Sequence, residues 1–154
     1  MSGTYTYLVY HIVFSTKNRY NLIVPRLEES LYHYIGGIIR QLDGVCLEIN
    51  GMSDHVHILT RLPPKVALSD TLREIKANSS KWVNASHGGL HKFGWQAGYA
   101  AFSVSTSKIV SVRGYVRGPK THHPRTEFRT EFARVLRHLA VAWDERDFAG
   151  WGGR

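Results

Sequence analysis

Two hydrophobic periods take turns along this chain, and their order limits the folds open to it. "TYLVYHIVFS" has a period of two, with Leu8, Tyr10, Ile12 and Phe14 on one side and Tyr7, Val9, His11 and Val13 on the other. Both sides are largely apolar, which predicts a central strand. "KNRYNLIVP" then interrupts it. From Leu27 the period becomes helical, with Leu31, Tyr34, Ile35, Ile38, Ile39 and Leu42 on one stripe. That spacing predicts a helix over 26–43, ended by Asp43 and Gly44. "VCLEING" and "HVHILTRL" are short strands separated by "MSD", the length of an antiparallel hairpin connection. After Pro63 and Pro64 a second helix carries Leu68, Leu72, Ile75, Trp82 and Val83, with Ser69 as a cap near its start and "SHGG" at 86–89 as its stop. "GYAAFSVS" is the fourth strand.

Strand, helix, strand, strand, helix, strand is the ferredoxin-like βαββαβ pattern, an α+β fold built on an antiparallel sheet. Two further C-terminal helices are expected. The first is "SKIVSVRGYVRG", closed by Gly118-Pro119; the second spans 126–143, with Phe128, Phe132, Val135, Leu136 and Leu139 buried. A chain of 154 residues, 43% of them hydrophobic, suits one domain over 1–154. Cys46 is the only cysteine, so an internal disulfide is excluded and a reducing cytoplasm is the expected setting. No signal-like or membrane-length apolar run is present, and no membrane partner is expected.

The formal charge of +8 favours a polyanion, although RNA, DNA and anionic lipid would all satisfy it. Between Ser105 and Arg137, Lys108, Arg113, Arg117, Lys120, Arg125, Arg129, Arg134 and Arg137 face only Glu127 and Glu131. A mixed-charge run is ordinarily a solvated face; this one has a fourfold excess of one sign, which would welcome phosphate.

"SDHVHILTRL" carries the chemistry. Residues two apart in a strand share a face, so His55, His57, Leu59 and Arg61 point one way while Val56, Ile58 and Leu62 point the other. The valine face should meet the two packing helices, leaving both imidazoles on the uncovered face, close enough to hold one metal ion. Polar surface is the commoner fate of such a pair. Asp54 either orients an imidazole or serves the turn, and the turn is expected. His11 should lie beside the histidine strand, as a hydrogen-bonded structural residue rather than a ligand. In the penultimate helix Ile109, Val112 and Val116 form the buried stripe, while Tyr115 falls on the flank beside Lys108 and Ser111. A core-margin tyrosine is the bland alternative. Lys17, Arg19, Lys76 and Lys81 could track phosphates, and Trp82, Trp95 and Tyr99 offer faces for unpaired bases, although each aromatic is more often core.

Five segments in order, "YHIVFSTKNRY", "SDHVHILTRLPP", "REIKANSSKWVN", "WQAGYAAFSVS" and "VRGYVRGPKTHH", resemble the single-tyrosine HUH transposases, the small TnpA-type enzymes of insertion sequences and their REP-associated relatives. The resemblance spans nearly the whole chain. It implies a ferredoxin-like homodimer that cuts single-stranded DNA at element ends and rejoins it. By position it makes His55 and His57 the ligands of Mg2+ or Mn2+, and Tyr115 the nucleophile that becomes a 5'-phosphotyrosine. Lys17, Arg19, Lys81, Arg113, Arg117 and Lys120 become the candidate DNA contacts. In that family the tyrosine helix commonly completes the partner subunit's site. The family also places a glutamine ligand four residues after the tyrosine, where this chain has Pro119; either a third ligand comes from elsewhere, with His122, His123 and water as the candidates, or the metal site is weak. The rival reading is a non-catalytic module that binds single-stranded nucleic acid.

Overall fold

The structure, a computed structural model, describes residues 3–89 and 91–118. Within them β1 (Leu8–Ser15), α1 (Pro25–Gln41), β2 (Val45–Gly51), β3 (His55–Leu62), α2 (Leu68–Ser86), β4 (Ala100–Val104) and α3 (Ile109–Arg117) follow one another. The four strands form an antiparallel sheet in the order β2-β3-β1-β4, so β1 and β3 are the inner pair. The expected helix over 126–143 lies outside the described residues, as do Pro119, Lys120, His122 and His123.

One face of the sheet presents Ile12, Phe14, Val56, Ile58 and Leu62. Against it α1 lays Leu27, Leu31, Ile35, Ile38 and Ile39, and α2 lays Leu72, Ile75 and Val83. Each such side chain withdrawn from water contributes on the order of 1.5–3 kcal/mol. Pro25 opens α1, where its fixed φ suits the first turn and its missing N–H costs nothing. The cap of α2 is Ala67, not Ser69. Leu68 packs against the core and draws the helix start forward, which leaves Ser69 inside the first turn and exposed.

The opposite face departs from expectation. Sequence spacing leaves it uncovered, yet His55 and His57 are 1% and 3% exposed. The cover is α3, whose Val112 and Val116 pack on Val9, Leu59 and Val104 in a second, smaller core. The physical reason lies in β1 itself, because a strand apolar on both sides needs two covers. The β2–β3 connection then fixes where the histidine strand begins. A Cβ on Gly51 would collide with the His55 carbonyl, so only glycine lets the two strands approach this closely.

Lys76 on α2 ties the segment before β4 in place. Its ammonium donates to the Gln96 carbonyl at 2.9 Å and to that of Gly98, and it sits over the rings of Phe14 and Tyr99. Phosphate tracking is therefore not its role in this arrangement. Trp95 is likewise core: it packs edge-on against Phe14 and Phe93 and donates to Ser79 Oγ. Trp82 stacks on Tyr34, 4.6 Å between centroids. Burial pushes the Lys76 ammonium down from 10.5 to about 8. Between these values the unfolded chain holds a proton that the folded chain has released, so this residue makes stability rise with pH there. Urea unfolding of wild type and Lys76→Met should show their difference moving in favour of wild type as pH climbs from about 8 to about 10. A difference independent of pH would contradict this.

Candidate active site

Antiparallel pairing places Ser15 opposite His55, Val13 opposite His57 and His11 opposite Leu59. Directly opposed residues share a face, so three imidazoles and the Ser15 hydroxyl line one strip beneath α3. Buried polar groups need hydrogen-bond partners, and here the partners are specific. His55 Nδ1 donates to Asp54 Oδ1 at 2.7 Å, since a carboxylate can only accept. Asp54 thus orients the imidazole instead of merely serving the turn. Its backbone carbonyl accepts from the Thr16 amide, which keeps the Asp54 segment close to the end of β1.

His57 is braced differently. Its Nδ1 shares a 3.0 Å hydrogen bond with His11 Nε2, and both rings are buried. His11 thus lies beside the histidine strand and is hydrogen-bonded to it, as the strand order implies. With Nδ1 of each ring committed, Nε2 is the nitrogen through which His55 and His57 would meet a cation. Their ring centroids are 5.2 Å apart and nearly perpendicular. The Ser15 hydroxyl, buried beside His55, has no hydrogen-bond partner among the described residues. Among those residues no group of three or more His, Cys, Asp or Glu side chains converges as a metal site.

Tyr115 reaches this strip from α3. Its ring stands edge-on to His57 at 5.9 Å between centroids and edge-on to His11 at 6.3 Å. Val112 and Val116, one on each side of it in sequence, are buried, so Tyr115 is held half-buried at the rim of the smaller core. The histidine pair and the tyrosine of a single chain are therefore neighbours.

The basic candidates divide. Lys17 and Arg19 lie in the 3-10 turn that leaves β1 at the His55 end of the sheet, with Lys17 exposed. Asn18 and Arg19 both adopt left-handed backbone, with φ of 55° and 54°. For arginine that conformation costs of order 1–3 kcal/mol and must be held by its surroundings. Asn18 N–H donates to Gln96 Oε1, and Lys17 N–H to the Gly94 carbonyl. Lys81 is exposed on α2, in the helical layer on the far side of the sheet from the histidines. Arg113 and Arg117 are on α3, and both donate to Glu48 of β2. Nothing in the spacing of "VCLEING" singles out Glu48, except that it is the one charge in that strand.

Comparison with known proteins decides the family. Residues 4–119 match the family described as "Transposase IS200 like". The chain belongs to the IS200-like transposases. Among its relatives are the ISDra2 transposase TnpA of Deinococcus radiodurans, 26% identical over 71% of this chain and 81% of the relative, and the transposase of insertion sequence IS200 from Salmonella typhimurium, 30% identical over 65% and 70%. Two solved structures share the fold. A Deinococcus radiodurans protein assigned as a transposase superposes with a TM-score of 0.62 at 22% identity, covering 76% of this chain and 94% of that one. A REP-associated tyrosine transposase, solved bound to a REP hairpin, gives 0.58 at 20% identity and covers 100% and 98%. Among the described residues no helix of this transposase is long and apolar enough to cross a membrane.

If the buried His11–His57 bond supports the site, His11→Leu removes the partner of His57 Nδ1 at nearly constant volume. The loss should cost about 1–3 kcal/mol of folding stability. Chemical denaturation would register it, and an unchanged midpoint would contradict the assignment.

Proposed function

We propose that this transposase cleaves and rejoins single-stranded DNA at mobile-element ends, with Tyr115 as nucleophile and Mg2+ or Mn2+ held by His55 and His57. One observation carries the reading: a half-buried tyrosine stands against a buried, braced histidine pair. The donor set fits a divalent cation. Two imidazoles whose Nδ1 atoms are engaged by Asp54 and His11 present Nε2 as ligands, and the Ser15 hydroxyl beside them is a further polar group within the same strip. When bound, the cation supplies Lewis-acid polarisation of a phosphodiester oxygen.

The residues of the chain supply the rest. Tyr115 Oη attacks phosphorus, the bond from phosphorus to the 3' oxygen breaks, and that oxygen leaves as a hydroxyl with the proton the phenol gave up. A 5'-phosphotyrosine remains on Tyr115. Because the new ester stores the energy of the old one, the 3' hydroxyl of another strand can reverse the step with no nucleotide cofactor. Proximity does the larger share of the work, since α3 holds the attacking group beside the histidines before substrate arrives. Lys17 and Arg19, near the His55 end of the sheet, would engage flanking phosphates, with Lys81 and Lys120 as further contacts, whereas Arg113 and Arg117 are held by Glu48. Hairpin ends are the preferred substrate in this reading, supported by the structural relative solved on a REP hairpin. The proposed assembly is a homodimer acting in the cytoplasm.

The test is a covalent one. With single-stranded element ends and Mn2+, wild type should give an adduct that survives denaturation and maps by peptide mass to Tyr115. Tyr115→Phe keeps nearly all the packing surface, so binding and stability should persist while the adduct disappears. An adduct that persists in Tyr115→Phe, or maps to Tyr99, would overturn the assignment. Tight binding without any adduct would favour the non-catalytic module.

A further inference from the structure

α3 has little of its own to hold it in place. It is nine residues long, has no side-chain cap at its N-terminus, and buries only Val112 and Val116 fully. A helix this short gains most of its stability from tertiary contacts. Yet Tyr115, in its last turn, must keep a fixed distance from His57 to act. Something other than apolar packing has to set that distance.

The β2 strand provides it through an irregularity. Cys46 pairs with Thr60, but the next partner, Leu59, is met by Glu48, so Leu47 is the extra residue of a bulge. Without that extra residue Glu48 would lie opposite Ile58 and face α1 and α2. With it, Glu48 shares the face of Leu59, His57 and α3. The bulge therefore aims one carboxylate at the tyrosine helix. Glu48 Oε2 accepts from Arg113 Nε at 3.1 Å, from Arg117 Nε at 3.2 Å and from Arg117 Nη2 at 2.8 Å. Two residues on, Asn50 Nδ2 donates to the Arg117 carbonyl at 3.4 Å and reaches that of Gly118 at 3.5 Å, at the helix end. Asn50 itself pairs with His57 across the hairpin.

We infer that Glu48 is a positioning residue for the reaction: through Arg113 and Arg117, which straddle Tyr115, it fixes the phenol against His57. The inference rests on the proposed role of Tyr115. Glu48 touches neither substrate nor the reacting atoms; it acts through the helix. Burial alone would raise its carboxyl, but hydrogen bonds and charge from Arg117 and Arg113 hold it below the ordinary value, as expected for a carboxylate committed to these partners. It also assigns Arg113 and Arg117 a task that simple phosphate binding does not require.

The experiment compares wild type with Glu48→Gln, Glu48→Ala and the charge swap Glu48→Arg with Arg113→Glu and Arg117→Glu. Two readouts are taken on the full chain: the rate of Tyr115 adduct formation at saturating single-stranded DNA, and amide hydrogen exchange over residues 112–118. Both single variants should slow the adduct rate about tenfold or more, speed exchange in α3, and leave DNA affinity within about twofold. A tenfold slowing corresponds to about 1.4 kcal/mol of lost transition-state positioning. The swap restores attraction with reversed sign and should recover both rate and protection. Wild-type rate and exchange in Glu48→Ala would overturn the inference, as would a lost rate that the swap fails to recover after protection has returned. If wild type forms no adduct at all, the proposed function fails. Hydrogen exchange then still decides the clamp, which unchanged α3 protection in Glu48→Ala would overturn.

Discussion

β1 is apolar on both faces and lies second from the edge of the sheet, so it has to be covered twice. α1 and α2 cover one face with a large hydrocarbon core. The second cover is much slighter, two valines of α3 on three residues of the sheet. That asymmetry makes a site possible: the smaller core leaves room on the same face for polar side chains, while still excluding most water from them. Imidazoles in such a place cannot be left unsatisfied, because a buried polar group without a partner costs a large part of a domain's net stability. Asp54 and His11 are the consequence. Each satisfies the Nδ1 of one histidine and, in doing so, fixes that ring's orientation.

Much of this was legible in the sequence, and the reasons differ from residue to residue. The alternation in "TYLVYHIVFS" and "HVHILTRL" gave the strands because side-chain direction in a strand has a period that residue type reveals directly. The stripe from Leu27 to Ile39 gave α1 for the same reason. His55, His57 and Tyr115 stood out because their spacing placed the histidines on one face and the tyrosine on a helix flank. The cover over the histidines was not legible in the same way: spacing leaves their face open, although Val9 and Val13 make the second face of β1 too apolar for water. What pattern alone did not supply was which element would cover it.

The contacts that refine the site were out of reach for a different reason. Glu48 faces α3 only because Leu47 is an extra residue in the pairing with β3, and a one-residue slip leaves no mark in the periodicity of a seven-residue strand. Asp54 at a hairpin end is chemically indistinguishable from a turn aspartate until the neighbouring ring is placed. Positive charge was just as ambiguous. Lys76 was consumed by backbone carbonyls, and Arg113 and Arg117 by a carboxylate, whereas Lys17 remains exposed beside the histidine end of the sheet. Net charge counts such residues alike; only the fold says which are spent internally.

The proposed function depends on the braced histidine pair presenting two Nε2 atoms to one divalent cation. The most direct measurement is pulsed electron paramagnetic resonance of Mn2+ bound to protein carrying 15N-labelled histidine. Couplings to two imidazole nitrogens are predicted, with one lost in His55→Ala and one in His57→Ala. Mn2+ that binds with no histidine coupling, or with coupling unchanged in those variants, would contradict the account.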